Sequence, residues 1–368
     1  LPAFTTSALD LEDAARAALD AKPFWYVAGS AGSGATNRAN REAFDRWWIV
    51  PRMLTGSTVR DLTRTVLGTT LSAPVITAPI GVQSILHPDA ERAAARVARE
   101  LGIAMALSTV SSVPLEEVAR ESGGGARWFQ LYWPNDPDVC ISLLDRARAA
   151  GFSALVVTLD TWLLGWRPHD LDAAYLPFLT GEGLANMFTD PAFLAGLDKP
   201  PAEDPIAAVA HWLPTFTGVE HTWDEVAFLR EHWDGPIALK GIQCVDDARR
   251  AVDAGVQGVV VSNHGGRQVD GAIASLDALP DIADAVGDRV EVLFDSGIRT
   301  GSDIVKALAL GARAVMIGRP VAYGLGLGGT DGVRHVLRSL LADFELELAL
   351  SGHTTPAALT RDSLRRRE

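Results

Sequence analysis

The chain has 368 residues, 48% hydrophobic and 21% charged, so it can bury a large core, and disordered, collagen-like and low-complexity classes are excluded. Its 33 basic and 46 acidic side chains leave a net charge of −13. A field of that sign repels nucleic acid and anionic lipid, so neither is an expected partner, and an anionic ligand must be drawn by a local basic pocket.

Cys140 and Cys244 are far apart and have no partner at metal-ligand spacing, which predicts two buried thiols in a reducing compartment and no metal site. No apolar run approaches the ~20 residues of a transmembrane helix. The opening Leu1-Pro2-Ala3-Phe4 lacks the basic and apolar regions of a signal peptide. A soluble cytoplasmic protein is expected, and the start at Leu rather than Met implies that native first residues are missing.

Residues 1–73 predict a helix from near Ser7, a loop, a second helix around Asn40 to Trp48, and a short hairpin over Asp61 to Ser72. The aromatic pairs Phe24-Trp25 and Trp47-Trp48 are assigned to the core. Gly29-Ser30-Ala31-Gly32-Ser33-Gly34 is rich in glycine but lacks GxGxxG spacing and follows no clear buried strand, so it is not read as a phosphate loop.

Beyond this extension one pattern returns four times: a helical run, a glycine, then a short apolar run ending in polar residues. It spans Gly102 with Ile103 to Ser108, Gly151 with Ala154 to Asp160, Gly255 with Val259 to His264, and Gly311 with Ala314 to Arg319. Each glycine suits the left-handed position that ends a helix. The runs are too short and too uniformly apolar to have a wet face, the mark of a parallel sheet covered on both sides. Pro74 to Pro79, Trp128 to Tyr132, Pro236 to Lys240 and Val290 to Asp295 complete eight βα units. These predict a TIM (β/α)8 barrel, one domain over 1–368, with the hairpin of the 1–73 extension plugging its bottom. Between Trp162 and Thr222 lie seven of the 20 prolines in a stretch too long for a simple connection, which predicts a lid or binding loop, or partial disorder.

In this fold chemistry occupies the C-terminal face of the barrel. The strand ends read Ser108, Gln130 with Tyr132, Thr158 with Asp160, Lys240, Asn263 with His264, Asp295, and Gly318 with Arg319. His264, followed by Gly265-Gly266-Arg267, is the candidate base, and Asp160 is placed to accept its ring N–H and fix the tautomer. Lys240 ends an apolar strand. It faces an anionic ligand, forms an ion pair with Asp160 or Asp295, or is a Schiff-base lysine. Asp295 to Gly301 and Ile317 to Pro320 follow strands seven and eight, where this fold usually binds phosphate. Arg167 and Arg267 are candidates to clamp a carboxylate. Tyr132 is placed in the mouth by its strand, whereas nothing in the local pattern assigns Tyr26.

Taken together, Tyr26 to Gly29, Phe129 to Tyr132, Thr158 to Thr161, Leu239 to Gly241, Ser262 to Gln268, Asp295 to Arg299 and Ile317 to Pro320 resemble the FMN-dependent α-hydroxy acid oxidising family. The resemblance covers nearly the whole chain. Pro79 to Val82, Gly165 to Pro168, Tyr175 to Leu179 and Asp295 to Gly301 look most like its lactate 2-monooxygenase branch.

The resemblance implies FMN as cofactor and a small L-2-hydroxy acid and O2 as substrates, with L-lactate converted to acetate, CO2 and water. It also implies a homo-oligomer, tetramer or octamer. Pro79, Ile80 and Gly81 would line the flavin, and Ser108, Gln130 and Thr158 would hydrogen-bond its ring, with Ser262 beside them. Lys240 would lie at the flavin's N1 and O2 edge, which favours the anionic-ligand reading. Asp295, Ser296, Gly297, Arg299, Gly318 and Arg319 would hold the phosphate. Tyr26, Tyr132, Arg167 and Arg267 would bind the substrate carboxylate, and His264 with Asp160 would be the base.

Many members have Ala at Gly81 and Gly at Ser296. The first difference implies extra room beside the flavin; the second should matter little if the contact is a backbone N–H. An oxidase releasing keto acid and H2O2, a dehydrogenase with another acceptor, a non-catalytic flavin-binding or regulatory protein, and a Schiff-base aldolase are the alternatives.

Overall fold

Each apolar run folds as a short parallel strand in the computed structural model, which describes residues 4–56, 58–218 and 221–367. We number these strands β1 Val75–Thr77, β2 Ala104–Ser108, β3 Arg127–Tyr132, β4 Leu155–Thr158, β5 Ile237–Ile242, β6 Gly258–Val261, β7 Glu291–Phe294 and β8 Ala314–Ile317. They pair in chain order and β8 closes onto β1, Val315 facing Val75, so the sheet is a closed barrel with no edge. The predicted TIM barrel is the observed fold.

Strand periodicity divides the apolar residues into two cores. Val75, Met105, Leu107, Phe129, Leu131, Leu239, Val259, Phe294 and Val315 point out into the shell of helices. Ile76, Ala104, Ala106, Trp128, Val156, Ala238, Val260, Leu293 and Met316 point into the barrel. The next inward position up each strand is Ala78, Ser108, Gln130, Thr158, Lys240, Ser262, Asp295 or Gly318. Side chains of one parity thus fill the barrel below and line its mouth above.

The four helix-ending glycines, Gly102, Gly151, Gly255 and Gly311, all have positive φ, from +66° to +113°. The hairpin is Arg64–Val66 with Thr69–Leu71. Leu67 and Gly68 both take left-handed φ at its tip, as a two-residue turn requires. Val66, Leu67 and Leu71 join the inner core, and the Leu67 N–H donates to Glu291 Oε2 at 2.8 Å, so the hairpin plugs the barrel's bottom.

Several expectations are corrected. The first helix spans Leu11–Ala18, later than Ser7, and the loop after it contains a helix, Ala21–Ala28. The helix expected to reach Trp48 is Ala35–Asp45. Trp47–Ile49, rich in β-forming residues, instead pairs antiparallel with Leu364–Arg366. Trp48 is consequently 54% exposed, with the Arg367 guanidinium over its ring. Phe24 is buried, while Trp25 is only partly so, stacked on His169 at 3.9 Å.

Cys140 is buried, and burial pushes its thiol up to about 12. Cys244 is exposed rather than buried, because it caps the helix Val245–Asp253 at the rim. Leu1 to Ala3 of the opening lie outside the described residues. Among the described residues, no helix is long and apolar enough to cross a membrane, and no group of three or more His, Cys, Asp or Glu could hold a metal ion.

The proline-rich stretch is built from short helices, Pro168–Asp172, Ala185–Phe188, Pro191–Ala195 and Pro205–Phe216, with a 3-10 turn at Pro177–Thr180. Proline opens four of these five elements in the first turn, where its missing N–H costs no hydrogen bond. Val219 and Glu220 lie outside the described residues.

Candidate active site

A cavity of about 1530 Å³, including its open mouth, sits over the C-terminal ends of the strands. Sixteen of the predicted site residues line it: Tyr26, Pro79, Ile80, Gly81, Tyr132, Thr158, Arg167, Lys240, His264, Arg267, Asp295, Ser296, Gly297, Arg299, Gly318 and Arg319. Ser108, Gln130, Ser262 and Asp160 do not line it; Asp160 meets it through His264 and Ser262 through Lys240. Trp162, Leu164, Leu176, Phe178, Trp212 and Phe216 of the 162–222 stretch form an apolar side of the same cavity.

His264 follows β6 in the turn after Asn263, with φ +56°, and Gly265 and Gly266 are left-handed as well. A side chain at Gly266 would press on the Asn37 backbone, 2.6 Å away. The turn is anchored by a reciprocal amide pair. Asn40 donates to Asn263 Oδ1 at 2.8 Å, and Asn263 donates to Asn40 Oδ1 at 2.7 Å. Asn263 Oδ1 also accepts the Gly266 N–H at 3.1 Å.

His264 Nδ1 lies 2.8 Å from Asp160 Oδ1 and 3.0 Å from the Thr161 hydroxyl, which itself donates to Asp160 Oδ1 at 2.9 Å. An Nδ1–H donated to the carboxylate leaves Nε2 as the basic nitrogen. Burial alone would raise Asp160, but the His264 and Lys240 charges and these hydrogen bonds outweigh it and hold the carboxyl at about 2. His264 moves below its ordinary 6.5, because burial, with Lys240 and Arg167 nearby, outweighs the pull of Asp160.

The imidazole is therefore neutral at pH 7. We expect the His264 ring to take up its proton only below pH 6.5. NMR titration of the imidazole signals across pH 5–8 checks this, and a midpoint above 6.5 would contradict it. The fold should lose stability over the same acid range, where the unfolded histidine takes up a proton before the folded one.

Arg167 is buried, its Nε donating to the Arg267 carbonyl at 3.1 Å and one terminal nitrogen to Gln268 Oε1 at 2.8 Å. Burial and the adjacent Arg267 bring it down to about 10. Arg267 donates to the Gly29 carbonyl at 2.9 Å and lies 5.5 Å from the centre of the Tyr26 ring. Burial, then Asp160, push Tyr132 up to about 12, and burial raises Tyr26 too. Both phenols therefore remain hydrogen-bond donors at neutral pH.

Lys240 Nζ is 3.0 Å from Asp295 Oδ2 and donates to Ser262 Oγ at 2.9 Å. Burial lowers Lys240, but Asp295 and Asp160 more than restore it, so it stays charged. The ion-pair alternative with Asp295 is thus present in a lysine that also faces the cavity. Arg319 donates to the carbonyls of Val27, Gly29 and Gly265, and Arg299 to that of Ile298. Burial lowers both, Arg319 to about 10.

Two readings of the Gly81 and Ser296 differences change. The missing methyl at Gly81 leaves no extra room: a Cβ there would meet Val110 Cγ2 at 2.5 Å and its carbonyl at 2.7 Å. The Ser296 hydroxyl, expected to matter little, accepts the Gly265 N–H at 3.0 Å and donates to Asp295 at 2.8 Å. Asn40, Thr161 and Gln268 were not singled out by sequence. Thr161 and Gln268 end motifs quoted for the resemblance, whereas Asn40 gives no local signal because its partner is 223 positions away.

The FMN-dependent dehydrogenase profile matches residues 15–366. The chain is 50% identical to the FMN-dependent alpha-hydroxy acid dehydrogenase qulF of Penicillium citrinum, covering 100% of this chain and 92% of that protein. It is 40% identical to an L-lactate oxidase of Lysinibacillus sphaericus, over 94% and 89% of the two chains. A solved structure of mandelate oxidase superposes with a TM-score of 0.87 at 39% identity, over 99% of each chain. The chain belongs to the FMN-dependent α-hydroxy acid dehydrogenase family. It is an oxidoreductase, and FMN is its cofactor.

Proposed function

We propose that the chain oxidises a small L-2-hydroxy acid, with His264 as the base, and that O2 is the final electron acceptor. The observation that carries this reading is one cavity lined by a histidine, oriented by Asp160, and by two arginines beside a second group of cations.

The cavity's chemistry fits FMN. Gln130 Nε2 is a buried donor with no hydrogen-bond partner among the described residues, which suits the polar edge of a flavin ring. Ser108 donates to Gln130 Oε1 at 3.0 Å and thereby fixes which way the amide points. Pro79, Ile80 and Gly81 would lie against the ring through their backbone, and Thr158 and Lys240 would meet its polar edge. Arg299, Arg319 and the backbone of Ser296, Gly297 and Gly318 would hold the phosphate. When bound, FMN accepts the two electrons that leave the substrate and passes them on to O2.

Arg167 and Arg267 bind the carboxylate as planar forks. The Tyr26 and Tyr132 phenols donate to the same group, and His264 Nε2 removes a proton. Asp160 holds the imidazolium that results. Residues 162–222 act as the lid, since their aromatic residues supply the apolar wall that keeps water from the reacting atoms.

The narrower reading is L-lactate carried to acetate, CO2 and water before the keto acid escapes, supported by the branch motifs and by this wall. A second reading, release of keto acid and H2O2, is favoured by Val110 filling the space beside Gly81. Aerobic L-lactate is expected to give acetate and CO2 with little peroxide. Stoichiometric pyruvate and H2O2 in a catalase-free assay would make the chain an oxidase.

A further inference from the structure

Ser296 follows β7 with φ +83°, a left-handed conformation that residues with side chains rarely adopt. Its hydroxyl donates to Asp295 Oδ1 at 2.8 Å and accepts the Gly265 N–H at 3.0 Å, with the Asn263 N–H at 3.4 Å. Asp295 Oδ2 pairs with Lys240 at 3.0 Å. Lys240 donates to Ser262 Oγ at 2.9 Å, and Ser262 Oγ accepts the His264 N–H at 3.1 Å. The circuit leaves from the N–H beside the base and returns to the base's own N–H.

His264 and Gly265 are successive left-handed residues, so neither N–H lies in a regular ladder. Two serine hydroxyls satisfy them instead, and both are tied to the Lys240–Asp295 pair. We propose that Ser296 is a positioning residue for proton removal, its hydroxyl clamping the turn that presents His264 and linking that turn to Lys240. This rests on the reading of His264 as the base. A phosphate contact through the Ser296 N–H needs no hydroxyl, whereas the clamp does.

Holoenzyme carrying Ser296→Ala loses the hydroxyl and keeps the strained backbone; Ser296→Gly loses both. Anaerobic stopped-flow reduction by L-lactate, FMN titration by fluorescence and thermal midpoints are compared with wild type and His264→Asn. Both serine variants are expected to lose about tenfold in limiting reduction rate, with substrate and FMN dissociation constants within about twofold of wild type. Wild-type reduction in Ser296→Ala would overturn the proposal, as would full recovery in Ser296→Gly alone. An FMN affinity loss large enough to explain the slower rate would also overturn it. The His264 variant keeps the two claims apart: wild-type reduction there removes the base assignment, whatever Ser296 does.

Discussion

His264→Asn retains FMN and slows anaerobic flavin reduction by about 10²- to 10⁴-fold, the usual contribution of a general base. Asparagine is close to the imidazole in size and can still donate to Asp160, so the buried carboxylate keeps a partner. It has no basic nitrogen to present to the substrate. The His264 and Gly265 N–H groups still reach the two serine hydroxyls, so the turn should survive the change. The check is the flavin absorbance after mixing with L-lactate without oxygen, beside the spectrum of bound FMN. Unchanged reduction would show that the proton leaves to another group.

Arg267→Lys raises the substrate dissociation constant about 10- to 100-fold, as expected when a charge-assisted pair of hydrogen bonds becomes a point charge. Arg267 also has structural contacts, to the Gly29 carbonyl and over the Tyr26 ring, and lysine can keep the cation near that ring. Substrate dependence of the reduction rate measures the first effect and a thermal melt the second. A lower melting temperature with unchanged substrate binding would make Arg267 a prop for the N-terminal segment.

The barrel was readable because four of its strands combine two signals, a glycine that can end the preceding helix and an apolar run without a wet face, and the other four show a similar short run. Its upper boundaries were less so. Asp160, His264, Asp295 and Arg319 continue the apolar runs in sequence but fall just beyond the strands, where the chain bends toward the mouth. The helix Ala21–Ala28 was missed because Pro23 and a run of aromatic residues disguise it; its packing of Phe24 against Tyr323 is a contact across almost the whole chain.

Within the site, residues at strand ends were found by position and most of the rest by motif. Asn40 was invisible because an amide pair between distant segments leaves no local pattern. Gly81 shows the opposite failure: a missing methyl reads as empty space, yet Val110 occupies it. Volume is a property of neighbours, which one position cannot report.

Five cations, Arg167, Lys240, Arg267, Arg299 and Arg319, converge on one cavity in a chain whose net charge is −13. Among the described residues, Lys240 alone of the five forms an ion pair with a carboxylate, and burial pulls Arg167 and Arg319 down to about 10. On the proposed reading, cofactor phosphate and substrate carboxylate are therefore counter-ions of the fold as much as ligands. Each anion that binds lowers the repulsion among the others' partners, so the two ligands should favour one another's binding. A ligand taken up only by the folded state adds its binding free energy to stability by mass action. Flavin supply and protein lifetime are then linked by the same charges that make the site.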